Sequence, residues 1–315
     1  MGEYNCIVVL GPTAVGKTSI GVHLALNLNG EIISADSRQT YVGLDIGSGK
    51  DLCEFTVNGR SVPYHLIDVA NLSQEYNVFN YQQDFYKVFP QIIERGKLPV
   101  IVGGTGMYLD AVVRGYDLVT VPENLELRKE LDGKSLDELD AMLIGLKPDL
   151  HNKSDLLIRE RVVRAIEIAL YMKDMGKKQH CNNTVSRPDI RPLIIGTTFQ
   201  RDLVRQNISI RLKERLEQGM IEEVALLHEK GASWERLEKL GLEYRYCSLF
   251  LQGKIKTKEE LYEKLFVAIR QFAKRQETWF RGMEKKGVKI NWLLPVQDKK
   301  QRIDAAMDLA KKYFS

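Results

Sequence analysis

Cysteine is scarce in this chain of 315 residues: Cys6, Cys53, Cys181 and Cys247 are the only four, and no two form a C-x-x-C pair. That spacing argues against a structural zinc site and against a disulfide framework, and it fits a reducing, cytoplasmic setting. Histidine is equally sparse, and none of the five has a second histidine at metal-ligand spacing. No run of ~18 apolar residues exists, so no membrane span is expected. An apolar strand begins almost at once, at Cys6, which leaves no place for a signal peptide. Excess charge is lacking too. The formal balance is +4, a mild basic surplus whose placement matters more than its size. Repeats and low-complexity tracts are absent. With 44% hydrophobic residues over this length, the chain has enough apolar material for about two domains.

What is present begins at Gly11-Pro12-Thr13-Ala14-Val15-Gly16-Lys17-Thr18, a complete G-x-x-x-x-G-K-[ST] phosphate-binding loop, or P-loop. The run Cys6 to Leu10 before it is short and β-branched, as a buried parallel strand should be. The run after it, Ser19 to Leu28, has helical apolar spacing. Strand, loop and helix together are the context the motif requires. The glycines let successive N–H groups point at phosphate oxygens, and the helix N-terminus adds its positive end. Lys17 would neutralise phosphate charge and Thr18 would offer a hydroxyl to Mg²⁺. The loop alone does not choose its ligand: nucleotide-binding proteins that take ATP, small-molecule kinases and some transferases share it.

Strand and helix signals alternate through the first ~115 residues. Glu31–Ser34, Tyr64–Val69 and Leu98–Val102 read as further strands, and Val78–Arg95 as a helix. Asp36, Asp68 and Thr105 lie just past strand ends, so they should share the rim on which such sheets bind ligands. From Val121-Pro122 to Arg187-Pro188 the pattern is helical and charged, clearest over Asp155–Met175. Arg191–Thr198 reads as a return to the sheet, Arg201–Met283 as helical again, Val288–Leu294 as a short strand, with an end helix from Lys299. The fold class is therefore α/β: a P-loop-containing parallel sheet flanked by helices (residues 1–120 and 188–315) with an inserted all-helical domain (121–187).

Several clusters carry chemistry. Asp36, in Ser34-Ala35-Asp36-Ser37-Arg38-Gln39, reads as a general base, a Mg²⁺ ligand through water, or a helix cap. Asp68 is either the acidic partner of Mg²⁺ or a loop cap. His65 reads as structural. Gly103-Gly104-Thr105-Gly106 either brings backbone close to a ligand or is a plain turn. Arg201, Arg205, Arg211 and Arg215 form a face suited to pyrophosphate, or a solvated one. Residues 270–289 interleave Arg270, Lys274, Arg275, Arg281, Lys285, Lys286 and Lys289 with Trp279 and Phe280, which suits RNA or an amphipathic helix with a wet basic side.

Taken together, these segments resemble the tRNA dimethylallyltransferases, which attach an isopentenyl group to adenosine 37 beside the anticodon. The matches run in order: Gly11–Thr18, Ser34–Gln39, Asp45-Ile46-Gly47-Ser48-Gly49-Lys50, His65–Asp68, Val102–Tyr108, Arg161–Glu167 and Ala273–Phe280. The resemblance implies transfer from dimethylallyl diphosphate to N6 of adenosine 37, in tRNAs reading codons that begin with U, with release of diphosphate. It implies Asp36 as general base, Thr13 beside the reacting centre, and Lys17 and Arg201 on the leaving diphosphate. It implies that the loop Gly11 to Thr18 holds that diphosphate, with Mg²⁺ on Thr18. It further implies tRNA contacts at Asp36, Ser37, Arg38, Gln39, Thr105, Arg128, Glu160, Arg161, Val162, Val163, Arg164, Leu240, Gly241, Leu242, Glu243, Tyr244, Arg245, Lys274, Arg275 and Gln276. The insertion would clamp the anticodon stem-loop, and the protein would act as a monomer. Two segments depart from the family pattern: Lys147-Pro148-Asp149 ahead of the insertion's arginine helix, and Leu240 to Arg245. A P-loop small-molecule kinase is the competing reading; it would turn over ATP without RNA and has no use for Lys274–Phe280.

Overall fold

Every residue of β1 (Cys6–Leu10) is buried, so the strand must be covered on both faces. The computed structural model describes residues 3–146, 158–175 and 185–314. It divides the chain into two compact units, Met1–Tyr116 with Val185–Ser315, and Asp117–Thr184.

The first unit holds a six-stranded sheet in the order β5-β2-β6-β1-β7-β8, with every neighbouring pair parallel. Here β2 is Gly30–Ser34, β5 Tyr64–His65, β6 Leu98–Gly103, β7 Pro192–Gly196 and β8 Asn291–Trp292. A two-residue hairpin, β3 (Thr56–Val57) with β4 (Arg60–Ser61), stands apart from it. Alternation along the strands assigns each apolar side chain to a face. Cys6, Val8, Leu10, Ile33 and Ile101 pack with Phe85, Phe89, Leu109, Phe280 and Met283, from α2 (Val78–Glu94), α3 (Gly106–Val113) and α11 (Lys258–Lys285). Ile7, Val9, Ile32 and Val100 pack with Ile20, Leu24, Ala306 and Ala310, from α1 (Lys17–Asn27) and α12 (Lys299–Lys311). A third cluster joins Val15 of the P-loop to α7 (Arg201–Glu217), α8 (Met220–Glu229), α9 (Trp234–Lys239) and α10 (Leu242–Leu251), through Ile208, Leu212, Val224, Leu237 and Tyr244.

Register positions the site. Leu10 lies opposite both Gly103 and Gly196, and Ser34 opposite Val102. The carboxyl ends of β2, β6, β1 and β7 are thus level, and the loops that follow them emerge side by side. The expected strand Tyr64–Val69 is cut to two residues. Leu66 and Asp68 take left-handed φ values of 61° and 55°, which ends the ladder. The chain instead wraps over residues 39–41, with the Asp68 N–H donating to Gln39 O and the Val69 N–H to Thr40 O.

The second unit is helical among its described residues: α4 (Leu125–Asp132), α5 (Leu136–Leu146) and α6 (Arg159–Met175). Leu131, Leu139, Leu143, Val162 and Ile166 form its own core. The departure at Lys147-Pro148-Asp149 and the first residues of the helix expected from Asp155 lie outside the described residues. No helix among the described residues is long and apolar enough to cross a membrane.

Candidate active site

Between the end of β1 and the start of α1 the chain curls through left-handed conformations at Ala14 (φ 61°) and Gly16 (φ 75°). Ala14 is held there from outside, where Asn207 Nδ2 donates to its carbonyl at 3.2 Å, while Val15 is buried. The first-turn N–H groups of α1 have no intrahelical acceptor, so this end is built for an anion. Lys17 donates from Nζ to Pro12 O at 2.6 Å. Burial pulls its ammonium down to about 8, Asp36 pulling the other way and Arg211 adding to the drop. A negative charge brought beside such a desolvated ammonium would favour its charged form. Thr18 follows in the first turn of α1, half-buried. Its lone hydroxyl fits Mg²⁺ held mostly by phosphate oxygens and water, and no cluster of three His, Cys, Asp or Glu competes among the described residues.

Asp36 stands on the neighbouring loop. Its Oδ1 accepts the Arg38 N–H at 3.0 Å, closing a turn; no helix follows, so the helix cap read from sequence is not formed. Its loop leaves β2 level with the end of β1 and so lies beside the P-loop, and the carboxylate acts electrostatically on Lys17 and on Tyr108. Ser37 N–H donates to Thr105 Oγ1 at 3.0 Å, tying this loop to the turn after β6. Gln39 Nε2 donates to Gly49 O at 3.1 Å. Gly104 has no room for a side chain: a Cβ would lie 2.5 Å from Gln276 Nε2 and 3.4 Å from Lys17 Nζ. Of the residues expected to share the rim with the P-loop, Asp36, Asp68 and Thr105, the structure sets the loops of Asp36 and Thr105 there. Asp68 is not part of it, because it pairs with the buried Lys50 ammonium, which also binds Asp45 at 2.7 Å and Tyr41 O at 2.8 Å.

The arginines of α7 divide. Arg201 and Arg205 are exposed, whereas Arg215 is buried and Arg211 partly so. Arg201, expected on the diphosphate, stays at the exposed start of α7. The stripe Val204, Ile208, Leu212 and Arg215 is the one turned inward. Arg211 and Arg215 line a cavity with Thr13, Ala14, Ile208, Leu212, Glu243 and Ile269. Nε of Arg211 and Nη2 of Arg215 are buried without hydrogen bonds. Burial first, and Arg211 second, lower the Arg215 guanidinium to about 10 against the pull of Glu243 and Asp51. The segment Asp45–Lys50 closes over these guanidinium groups at Gly49. One carboxylate holds it: Glu223 accepts from the backbone N–H groups of Asp45, Ile46 and Gly47 at 3.1, 2.7 and 3.1 Å, and Tyr244 Oη donates to Glu223 at 2.9 Å.

This arrangement has relatives. A family model described as IPP transferase matches residues 39–283, and one described as isopentenyl transferase matches residues 4–61. The chain belongs to the IPP transferase family. A tRNA dimethylallyltransferase 2 of Treponema denticola is 56% identical over 292 residues, 93% of this chain and 96% of that protein. A tRNA dimethylallyltransferase 1 of Syntrophus aciditrophicus is 50% identical over 289 residues, 92% of this chain and 93% of that protein. Among solved structures, the full-length tRNA isopentenylpyrophosphate transferase of Bacillus halodurans superposes with a TM-score of 0.68 at 30% identity, covering 98% of this chain and 96% of that one.

Of the RNA contacts that IPP transferase resemblance implied, the structure buries four. Val162 is in the core of the helical unit, at 0% exposure. Leu240 and Tyr244 are buried, and the Tyr244 hydroxyl is occupied by Glu223 and the Ser48 N–H. Gln276 is a bracket inside the protein, its Oε1 accepting the Thr13 N–H at 2.9 Å and its Nε2 donating to Gly104 O at 2.7 Å. Periodicity held the signal, since Gln276 shares the buried stripe of α11 with Ala273, Phe280 and Met283. Arg128 and Arg164 are engaged with Glu167, at 2.7 and 2.9 Å. Glu160, Arg161, Arg245, Lys274 and Arg275 remain at the surface; Arg38, Gly241, Leu242, Glu243 and Val163 are half-buried. Sequence reading gave no role to Arg302 of α12, which donates to the P-loop carbonyl of Val15 at 2.6 Å.

Proposed function

We propose that this IPP transferase moves the dimethylallyl group of dimethylallyl diphosphate to N6 of adenosine 37 in tRNAs that read codons beginning with U, releasing diphosphate. The observation that carries the reading is that β2 and β1 end level, which sets the Asp36 loop beside the P-loop, where its carboxylate acts electrostatically on Lys17. A base for an amine and a cation for a leaving anion then sit on opposite sides of one reaction. N6 attacks the allylic carbon, the carbon–oxygen bond breaks with its electron pair going to the diphosphate, and the N6 proton passes to the Asp36 carboxylate. The P-loop N–H groups, Lys17 and Arg211 stabilise the charge that grows on the diphosphate. Arg201, exposed at the start of α7, contributes to the same diphosphate site. Thr13 borders both the loop and the cavity, next to the reacting carbon. Mg²⁺ on Thr18 would neutralise diphosphate oxygens when bound.

Adenosine 37 must leave the anticodon stack to reach Asp36, at a cost of a few kcal/mol. Exposed Arg245, Lys274 and Arg275 supply the surface charge that offsets it, with Ser37, Arg38 and Thr105 at the entrance. The helical unit, with Glu160 and Arg161 exposed on α6, holds the stem-loop. The protein acts as a monomer. The kinase reading gains no support, because its sequence basis was the P-loop alone.

The test uses the purified protein, Mg²⁺, dimethylallyl diphosphate and an anticodon stem-loop with adenosines at positions 36 to 38. The RNA should gain one five-carbon unit by mass. Asp36→Ala should slow transfer by ~10²-fold or more with RNA affinity nearly unchanged. No mass gain, or ATP turnover without RNA, refutes the proposal.

A further inference from the structure

Arg302 projects from α12, the last helix, and is only 7% exposed. Its guanidinium carbon lies 4.3 Å over the Phe199 ring, and Nη1 also reaches Thr197 Oγ1 at 3.5 Å. Nη2 faces the back of the P-loop: a Cβ on Gly16 would sit 3.4 Å from it. Nε is buried without a partner. Among the described residues no carboxylate pairs with this cation; Asp298 acts on it only at longer range. Isolated buried charges are costly and are ordinarily paired. Here the unpaired charge is packed behind the loop whose front is shaped for an anion.

We infer that Arg302 is a positioning residue for the donor, a cation built beneath the P-loop whose counter-charge is the bound diphosphate. It braces the loop through the Val15 carbonyl and projects positive potential through the loop to the anion. The idea rests on the reading that the P-loop holds diphosphate, and the experiment separates the two. The probe is inorganic diphosphate with Mg²⁺, titrated by calorimetry into the full chain. Arg302→Gln keeps a neutral donor for the Val15 carbonyl and removes the charge; Arg302→Lys keeps the charge. Arg302→Gln should bind diphosphate ~10-fold more weakly, and Arg302→Lys within ~3-fold of the parent. Both should bind the anticodon stem-loop as the parent does. In turnover, Arg302→Gln should raise KM for dimethylallyl diphosphate with kcat within a few-fold. Diphosphate binding by Arg302→Gln within twofold of the parent overturns the inference. Should that variant fail to fold, a tenfold loss in Arg302→Lys overturns it equally. If the parent protein itself binds no diphosphate, the donor reading fails instead.

Discussion

Replacing Lys17 by methionine should make the ligand-free protein more stable while removing its affinity for diphosphate. The ammonium is held at about 8, against an ordinary 10.5, because burial penalises its charge. Keeping it protonated at pH 7 therefore costs the folded state up to ~3 kcal/mol. Methionine relieves that cost and fills a similar volume. It also forfeits the bond to Pro12 O, worth about 1 kcal/mol. The net gain is about 2 kcal/mol, or a rise of several degrees in Tm. The pH dependence has a definite sign. The folded value lies below the unfolded one, so the penalty is complete below about pH 8 and fades as pH climbs towards 10.5. The advantage of Lys17→Met should shrink over that window and turn into a deficit of about 1 kcal/mol above it, where only the lost bond to Pro12 O remains. Diphosphate binding works in the opposite sense, since a nearby polyanion favours the charged ammonium. Parent affinity for magnesium diphosphate should thus fall above about pH 8, approaching tenfold per pH unit, while the variant's weak affinity stays flat. Chemical denaturation across pH 6.5 to ~10.5 and calorimetry supply the two curves. A variant less stable than the parent at pH 7, or a difference that does not narrow with pH, would refute the reasoning.

Two further outcomes follow from the packing. Gln276→Ala leaves the Thr13 N–H and the Gly104 carbonyl without their partner. At ~1–3 kcal/mol for each orphaned group, the denaturation midpoint should drop clearly while RNA affinity stays within about twofold; a selective loss of RNA affinity would return Gln276 to the RNA surface. At Glu167, burial pushes the carboxyl up but is outweighed by Arg128, Arg164 and the Asn124 N–H, leaving it at about 2. A depressed carboxyl contributes stability above its unfolded value near 4.5 and loses it as pH falls through about 2. Glu167→Gln at pH 7 should therefore speed amide exchange in α4 and α6 without touching diphosphate affinity, and unchanged exchange would contradict this.

Much of the sheet was legible because its strands are short apolar runs, and β1, β2, β6 and β7 stand where those runs stand. The hairpin at Thr56–Ser61 went unread because it is short and mostly exposed, with only Asn58-Gly59 to mark its turn. The strand over Tyr64–Val69 was read too long because apolar content says nothing of the left-handed turns at Leu66 and Asp68. Those turns accompany the bond from Asp68 to Lys50, a residue far behind it in the chain. In α7, Arg201 and Arg211 look alike as residues but lie about 80° apart around the helix. By that same wheel Arg201 falls within the inward stripe of Val204, Ile208, Leu212 and Arg215 and is exposed because it opens the helix, so periodicity did not separate the two arginines.

The local sequence determined the P-loop by itself. Its chemistry comes from backbone N–H groups, one lysine and one hydroxyl, all within eight consecutive residues, so nothing distant is needed to recognise it. Only the tertiary structure decided which distant charges serve that loop. Asp36 comes beside it because β2 and β1 end at the same level, Arg211 because α7 packs against the loop at Ala14 through Asn207, and Arg302 because α12 packs beside α1. These charges interact through space at short range in a medium that screens poorly, and separation along the chain does not enter that energy.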